Sequence, residues 1–352
     1  MSKIENGYMP KEYEVAAGTR DAWQWPFAKN SIWNMPIGSD ADYQWCAMRP
    51  AAAYYVDVER IYKTTTDDDY LEICHSESGR WPSEDKLIHT GKYMYWPKGL
   101  VVKPSTANEC SAVLQPDGRT IIQLQPTCRA EADSRYIVGW ERDGVDLYGD
   151  GALGAHWGSG LSCIGGTIRL SDITNVDEPI RHALKLNVSA NRFAYYKEGV
   201  CPGYMWPADR ADSYATNGIH DERRYTGNVP NTMMGTLLSV NPKIDIKGLG
   251  FSSPFAIKLL CAIRDYGVYI VDDSAWNAYG WSVEEGVEEE VKRIYGHKIF
   301  GFGMEAENEA ERVYYRDMCI IAEQLRAVAN NAPDSIGGGG TPRVPLAPDF
   351  AE

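Results

Sequence analysis

Positive charge is in short supply in this chain: 35 Lys and Arg stand against 49 Asp and Glu, a formal charge of −14 over 352 residues. A partner whose phosphates must be neutralised by a basic face is therefore excluded as an expectation, and no nucleic-acid partner is expected. The same field weakly disfavours long polyanionic glycans, although a local Arg or Lys pocket can override it. No stretch approaches the roughly 20 apolar residues that a bilayer span needs, so no membrane insertion is expected. Met1–Asn6 carries charge with no apolar run behind it, so no signal peptide is expected. No Cys-x-x-Cys pair occurs among the eight cysteines, which removes the commonest zinc and thiol-redox signatures and predicts mostly free, buried thiols. The phosphate-loop pattern, a Gly-x-Gly-x-x-Gly opening a helix and the Gly-x-Ser-x-Gly elbow are missing too, leaving a Ser or Cys hydrolase without a nucleophile motif.

Phenylalanine is also scarce, with seven residues against 11 Trp and 22 Tyr. Trp and Tyr stack on sugar faces and keep a polar handle, whereas Phe serves only a core. Large aromatics filling a core account for the skew equally well. The 44% hydrophobic and 24% charged composition is that of a globular protein able to bury a sizeable core.

Along the chain, residues 1–22 are polar and read as an N-terminal arm. Residues 23–332 read as a single domain, and 333–352, with Gly337–Gly340 and several prolines, as an extended C-terminal tail. The spacing over Pro50–Lys63 predicts a short helix. Ala112–Leu124 around Asp117-Gly118 predicts a hairpin. Strands are predicted at Arg135–Trp140, Gly166–Leu170, Ile180–Val188 and Val268–Val271. Ser253-Pro254 predicts the capped start of a helix ending at Gly267. A second helix is predicted over Glu305–Val328, with Val313, Met318, Ile321, Leu325 and Val328 inward. The centre is thus a sheet with a few peripheral helices.

The Gly-rich run 149–166 holds Asp150, His156, Trp157 and Ser159. Glycine at this density permits tight turns or close backbone approach. His156 is a candidate acid, base or ligand-binding group, because imidazole titrates near neutral pH and a Gly-flanked loop would leave it reachable. Alternation along 180–188 puts His182 with Leu184 and Leu186, the pattern of a structural histidine, and Arg181, Lys185 and Asn187 on the other face, a polar floor suited to sugar hydroxyls or a uronate carboxylate. Arg169 could hold such a carboxylate or pair with Asp172 or Asp177. Asp150, Asp209, Asp272 and Asp273 are the candidate carboxylates, although residues of this kind are more often caps or turn residues. Trp157, Tyr195, Tyr196, Tyr204, Trp206 and Trp276 are candidate stacking residues. The acidic run Glu284–Glu290 reads as a solvated face; a structural calcium is the one cofactor it could take, and no other cofactor or catalytic metal is expected.

Pro26-Phe27 with Ser31–Gly38, the run Gly151–Ser162, Gly165–Arg169, Ile180–Lys185, Tyr204–Ala208, Tyr266–Asp272 and Ser335–Pro348 together resemble a largely uncharacterised family of bacterial, fungal and phage-associated proteins. The resemblance spans about Trp25 to Pro348. It implies a common fold and an extracellular or virion-associated setting, and carries no catalytic residues across. A fainter likeness is to polysaccharide lyases and glucanases of concanavalin-like fold. There Arg169–Ile173 resembles the Arg-x-Glu-Leu strand of alginate lyases and departs from it at Asp172. That likeness implies a mainly β jelly-roll or β-sandwich.

Two functions are expected to compete. In the first, the chain is a polysaccharide-degrading enzyme acting on a poly- or oligosaccharide. As a lyase it would use Arg169 or Lys185 to neutralise a uronate and His156 or a tyrosine as base; as a glycoside hydrolase, two of the four carboxylates. In the second it is a non-catalytic glycan-binding or virion tail protein, with other virion or self subunits as partners.

Overall fold

The computed structural model describes residues 9–12, 18–76, 86–103, 105–106, 108–217, 224–302 and 305–351. Its strands in chain order are β1 (Tyr43–Trp45), β2 (Ala53–Lys63), β3 (Asp69–Ser76), β4 (Leu87–Trp96), β5 (Cys110–Leu114), β6 (Thr120–Cys128), β7 (Tyr136–Asp146), β8 (Leu153–His156), β9 (Leu184–Val188), β10 (Leu237–Ser239), β11 (Val268–Asp273), β12 (Ala278–Glu284), β13 (Gly301–Phe302) and β14 (Arg326–Val328). The helices are α1 (Leu170–Thr174), α2 (Ala190–Phe193), α3 (Tyr214–Asn217), α4 (Pro254–Asp265), α5 (Val287–Tyr295) and α6 (Glu309–Gln324). No described helix is long and apolar enough to cross a membrane.

The protein is mainly β. Twelve strands hydrogen-bond in the order β1-β14-β10-β11-β9-β12-β2-β5-β6-β7-β3-β4, and β13 adds to β2. The sheet is mixed: β11/β9, β12/β2, β2/β5 and β3/β7 run parallel, and the remaining pairs antiparallel. This continuous pairing is compatible with a jelly roll and does not single one out. Parallel neighbours need covering on both faces, and accordingly every residue of β9 and β11 is buried. Polar side chains on these strands are therefore sealed inside, which is how the sheet builds a charged interior.

The Asp-Gly hairpin forms as its sequence predicts, with Leu114 opposite Ile121 and Gly118 at positive φ. The helix after Ser253 also forms, the Ser253 side chain accepting from the Ala256 amide. Pro50–Lys63 departs from expectation: most of it is β2, with Asp57, Glu59 and Ile61 buried while Val58, Arg60 and Tyr62 are less so. Two inward positions carry carboxylates, so apolar residues fall on the outer face and hydropathy misreports the period. Leu170 starts α1 instead of ending a strand, and pairing in Ile180–Val188 begins only at Leu184. The last predicted helix stops at Gln324, because Ala327 pairs with β1 and β10.

The main core runs from Trp23 to Val328, and a smaller one, including Leu71, Met94, Trp96 and Ile137, is built from residues of β3 to β7. Arg20 and Phe350 close on each other: the guanidinium lies 4.0 Å from the ring and donates to the carbonyls of Pro348, Trp25 and Phe27.

Candidate active site

Strands β2, β8 and β9 bring Glu59, His156 and Lys185 together in the interior, each with no solvent exposure. Lys185 Nζ donates to Glu59 Oε1 at 2.5 Å and to the Ser162 carbonyl at 2.8 Å, and lies 3.3 Å from His156 Nε2. His156 Nε2 is 2.6 Å from Glu59 Oε1, and Nδ1 is 3.5 Å from Asp272 Oδ2 at the end of β11. Thr167 donates its hydroxyl proton to Glu59 Oε2. Burial and Lys185 both oppose charge on His156, but the hydrogen bonds to Asp272 and Glu59 outweigh them and hold its pKa up at about 10. With both ring nitrogens facing carboxylates, the imidazolium is the consistent state. For Glu59, burial opposes ionisation, yet Lys185 and His156 hold its pKa below the usual range. Asp57, buried next to Glu59 and held by Asn187 at 2.9 Å, is pushed by burial up to about 7.

Asp272 connects this sealed cluster to an open cavity of about 1290 Å³. Its Oδ2 accepts from the Gln125 amide at 3.1 Å and its Oδ1 from the Asp273 amide at 2.9 Å. Asp273 accepts from the amides of Ala190 and Ala275 and, at 2.9 Å, from the Tyr214 hydroxyl. Tyr214 also contacts Asp212, and Tyr225 donates to Asp212 Oδ2 at 2.7 Å. Both tyrosine hydroxyls favour the charged form of Asp212. Burial, then the charge of Asp272, pushes Asp212 up to about 8. Asp209, on the same wall, is the contrasting case: burial opposes its charge, but Arg210 at 2.8 Å and Arg142 at 2.9 Å lower its pKa.

Aromatic rings face these carboxylates. Trp157 lies under both guanidinium groups, 4.3 Å from Arg210 and 5.6 Å from Arg142, and its Nε1 donates to the Trp140 carbonyl. Across the cavity Trp276 contacts Tyr55 and Phe302 at ring separations of 6.2 and 5.7 Å. The Gly-rich run fits between these groups because it lacks side chains: a methyl at Gly158 would collide with the Asp272 carboxylate, and one at Gly160 with Asp209. The glycines thus admit carboxylates of the protein itself.

Of the sequence-derived candidates, Asp209, Asp272, Asp273, Trp157 and Trp276 line this cavity, and Tyr196 and Tyr204 line a neighbouring depression. His156, expected to be reachable, is sealed beneath the cavity together with Lys185 and Asn187, enclosed by Glu59, Lys185, Cys110 and Asp272. Arg169 is held elsewhere by Glu284 at 2.9 Å and the Trp23 carbonyl. Arg181 lies 3.6 Å from Glu178, and Asp150 accepts from the Ala152 amide in an exposed turn. Tyr195 pairs through its backbone with Gly227, and Trp206 packs on the main core. His182 bridges Asp172 and the Ala183 carbonyl. Glu288–Glu290 form the first turn of α5, where Glu290 pairs with Arg293 and Glu288 accepts from the Phe300 amide. Sequence reasoning missed Glu59, Asp57, Asp212, Tyr55, Tyr214 and Gln125. The alternation Val56-Asp57-Val58-Glu59 was a usable signal for the first two; Asp212 sits in a polar loop with no local signal.

Cys110, His156 and Cys163 offer three donor atoms within 4.8 Å of one another, as do Glu72, Cys74 and His89 near the sheet edge. In the first group the Lys185 ammonium already stands beside His156 Nε2 and Glu59, where a metal ion would have to sit. All eight cysteines are free thiols, six of them buried. Comparison of the chain with family models, with curated proteins and with solved structures gives no match in any of the three.

Proposed function

We propose that the cavity is a glycan-cleaving site of hydrolytic type. Asp212 donates its proton to the departing glycosidic oxygen, and Asp272 is the carboxylate that acts at the anomeric carbon, directly or by taking a proton from the attacking water. One observation carries this reading: Asp212, Asp272 and Asp273 converge on a single aromatic-walled cavity, with Tyr214 touching both Asp212 and Asp273. Acid-assisted glycoside cleavage needs a carboxyl group that still holds its proton, and burial supplies one at Asp212. Trp157 and Trp276 supply the stacking faces for sugar rings.

The lyase alternative loses support because its candidate cations are committed elsewhere, Arg169 to Glu284 and Lys185 to Glu59. His156 serves as a positioning residue through Asp272. The resemblance to bacterial, fungal and phage-associated proteins favours an extracellular or virion-associated setting, with a poly- or oligosaccharide as partner.

The test is a panel of soluble neutral glycans, comprising a β-glucan, a xylan, a galactomannan and an arabinan, assayed for new reducing ends. Asp212→Asn and Asp272→Asn should each lower kcat by about 10²- to 10⁴-fold while glycan binding persists. If the native protein binds members of the panel and cleaves none, the non-catalytic glycan-binding reading replaces this one.

A further inference from the structure

A second depression, about 660 Å³, adjoins the first and is lined on its far side by Tyr196, Val200 and Tyr204. The wall between the two is the segment Asp209–Ser213, which borders both. Asp212 therefore lines both.

We infer that the substrate is a polymer lying across both depressions, cleaved within its length at Asp212. This rests on the hydrolase reading and adds where along the chain the cut falls. A site that removes terminal units is closed on one side of its proton donor. Here the donor stands at a junction, with room for sugar units on either side of the scissile bond. The larger space exceeds the roughly 300–1,000 Å³ of a pocket for one small ligand, and the smaller falls within that range. The dividing segment is held in place: Asp209 by Arg142 and Arg210, its amide by the Ser159 carbonyl, and Asp212 by Tyr225. In this reading the polymer crosses that fixed crest, with Asp212 at the crossing point. The far side offers apolar contact surface, with Val200 70% exposed.

The chemistry balances as a hydrolysis: the C–O glycosidic bond breaks, the leaving oxygen takes the Asp212 proton, and water supplies a hydroxyl to the anomeric carbon while its other proton restores the carboxyl pair. The products are two shorter chains, one with a new reducing end.

The experiment takes whichever panel polysaccharide the native protein cleaves, its hexasaccharide, and an aryl glycoside of its single sugar. Internal cleavage predicts that mean chain length falls steeply before mono- or disaccharide accumulates. Val200→Arg, which puts bulk into the second depression from an exposed position, and Tyr204→Ala should each lower kcat/KM on the hexasaccharide about tenfold more than on the aryl glycoside, because remote contacts are spent on the reacting bond. Release of one short product from the first time point, or equal losses on both substrates, would overturn the inference and leave the hydrolase reading standing. Full activity of Asp212→Asn would overturn both.

Discussion

The Glu59–His156–Lys185 cluster and the Asp212–Asp272–Asp273 cavity face the same problem, several ionisable groups held away from bulk water, and resolve it differently. In the sealed cluster, charge is cancelled by charge: Glu59 is matched by Lys185 at 2.5 Å and His156 at 2.6 Å, and the second imidazole nitrogen is directed at Asp272. In the cavity, burial and the neighbouring charge of Asp272 push Asp212 up to about 8, so it keeps its proton at neutral pH. An interior carboxylate is either paired or protonated. Pairing gives rigidity, while protonation leaves a proton that can be given away, so the same physics makes one region a support and the other a candidate reactive centre.

Breaking the pairing should have the largest effect. Lys185→Met leaves Glu59 and His156 without their ammonium partner and should cost about 3–5 kcal/mol in chemical denaturation. Adding Glu59→Gln should recover part of that loss. A single variant as stable as the native protein would show that the cluster is not the support described.

Next comes pH, which separates Asp212 from His156 by window, the sign being the same for both. Proton donation by Asp212 requires its protonated form, so kcat should fall as pH rises through about 8. The stability linkage for Asp212 runs the same way: its pKa is raised from 3.8 to about 8, so the folded state binds the extra proton between those values and stability declines across that window. Asp212→Asn should flatten that slope. His156, raised from 6.5 to about 10, contributes stability that is complete below 6.5 and lost as pH climbs through about 10. Denaturation midpoints measured from pH 4 to 10 on native protein and Asp212→Asn check both windows; identical slopes would contradict the assignment to Asp212.

Smaller effects belong to the cavity wall. Trp276→Ala should raise KM for an oligosaccharide about two- to tenfold, in line with roughly 0.5–1.5 kcal/mol for one aromatic contact, with kcat little changed. A larger fall in kcat than in affinity would place Trp276 closer to the reaction than proposed. Smallest of all, Arg312→Ala on α6, whose Glu309 partner is 78% exposed, should shift stability by no more than about 0.5 kcal/mol.

Much of the fold was readable from local rules. Asp117-Gly118 specifies its hairpin because the turn needs a residue at positive φ, and Ser253-Pro254 specifies a helix start because a hydroxyl cap and a fixed φ suit the first turn. The candidate site was half legible. Asp209, Asp272, Asp273, Trp157 and Trp276 stood out by composition, and Asp272 was the carboxylate both regions share. β2 misled, because hydropathy patterns assume that the buried face is apolar, and in β2 that face carries Asp57 and Glu59. His156 misled in the other direction, since its glycine neighbours suggest openness while Glu59, Lys185, Cys110 and Asp272 close around it.

By itself the sequence determined what short-range chemistry determines: a β-rich chain, its turns and caps, a negative field, and a surplus of Trp and Tyr over Phe. Only the tertiary structure decided which carboxylates are neighbours and which are wet. Residues 59, 185 and 272 meet through the pairing of β2, β12, β9 and β11, and His156 of β8 and Asp212 of the 209–213 segment pack against them. Their protonation follows from distances and desolvation that exist only once those strands have paired.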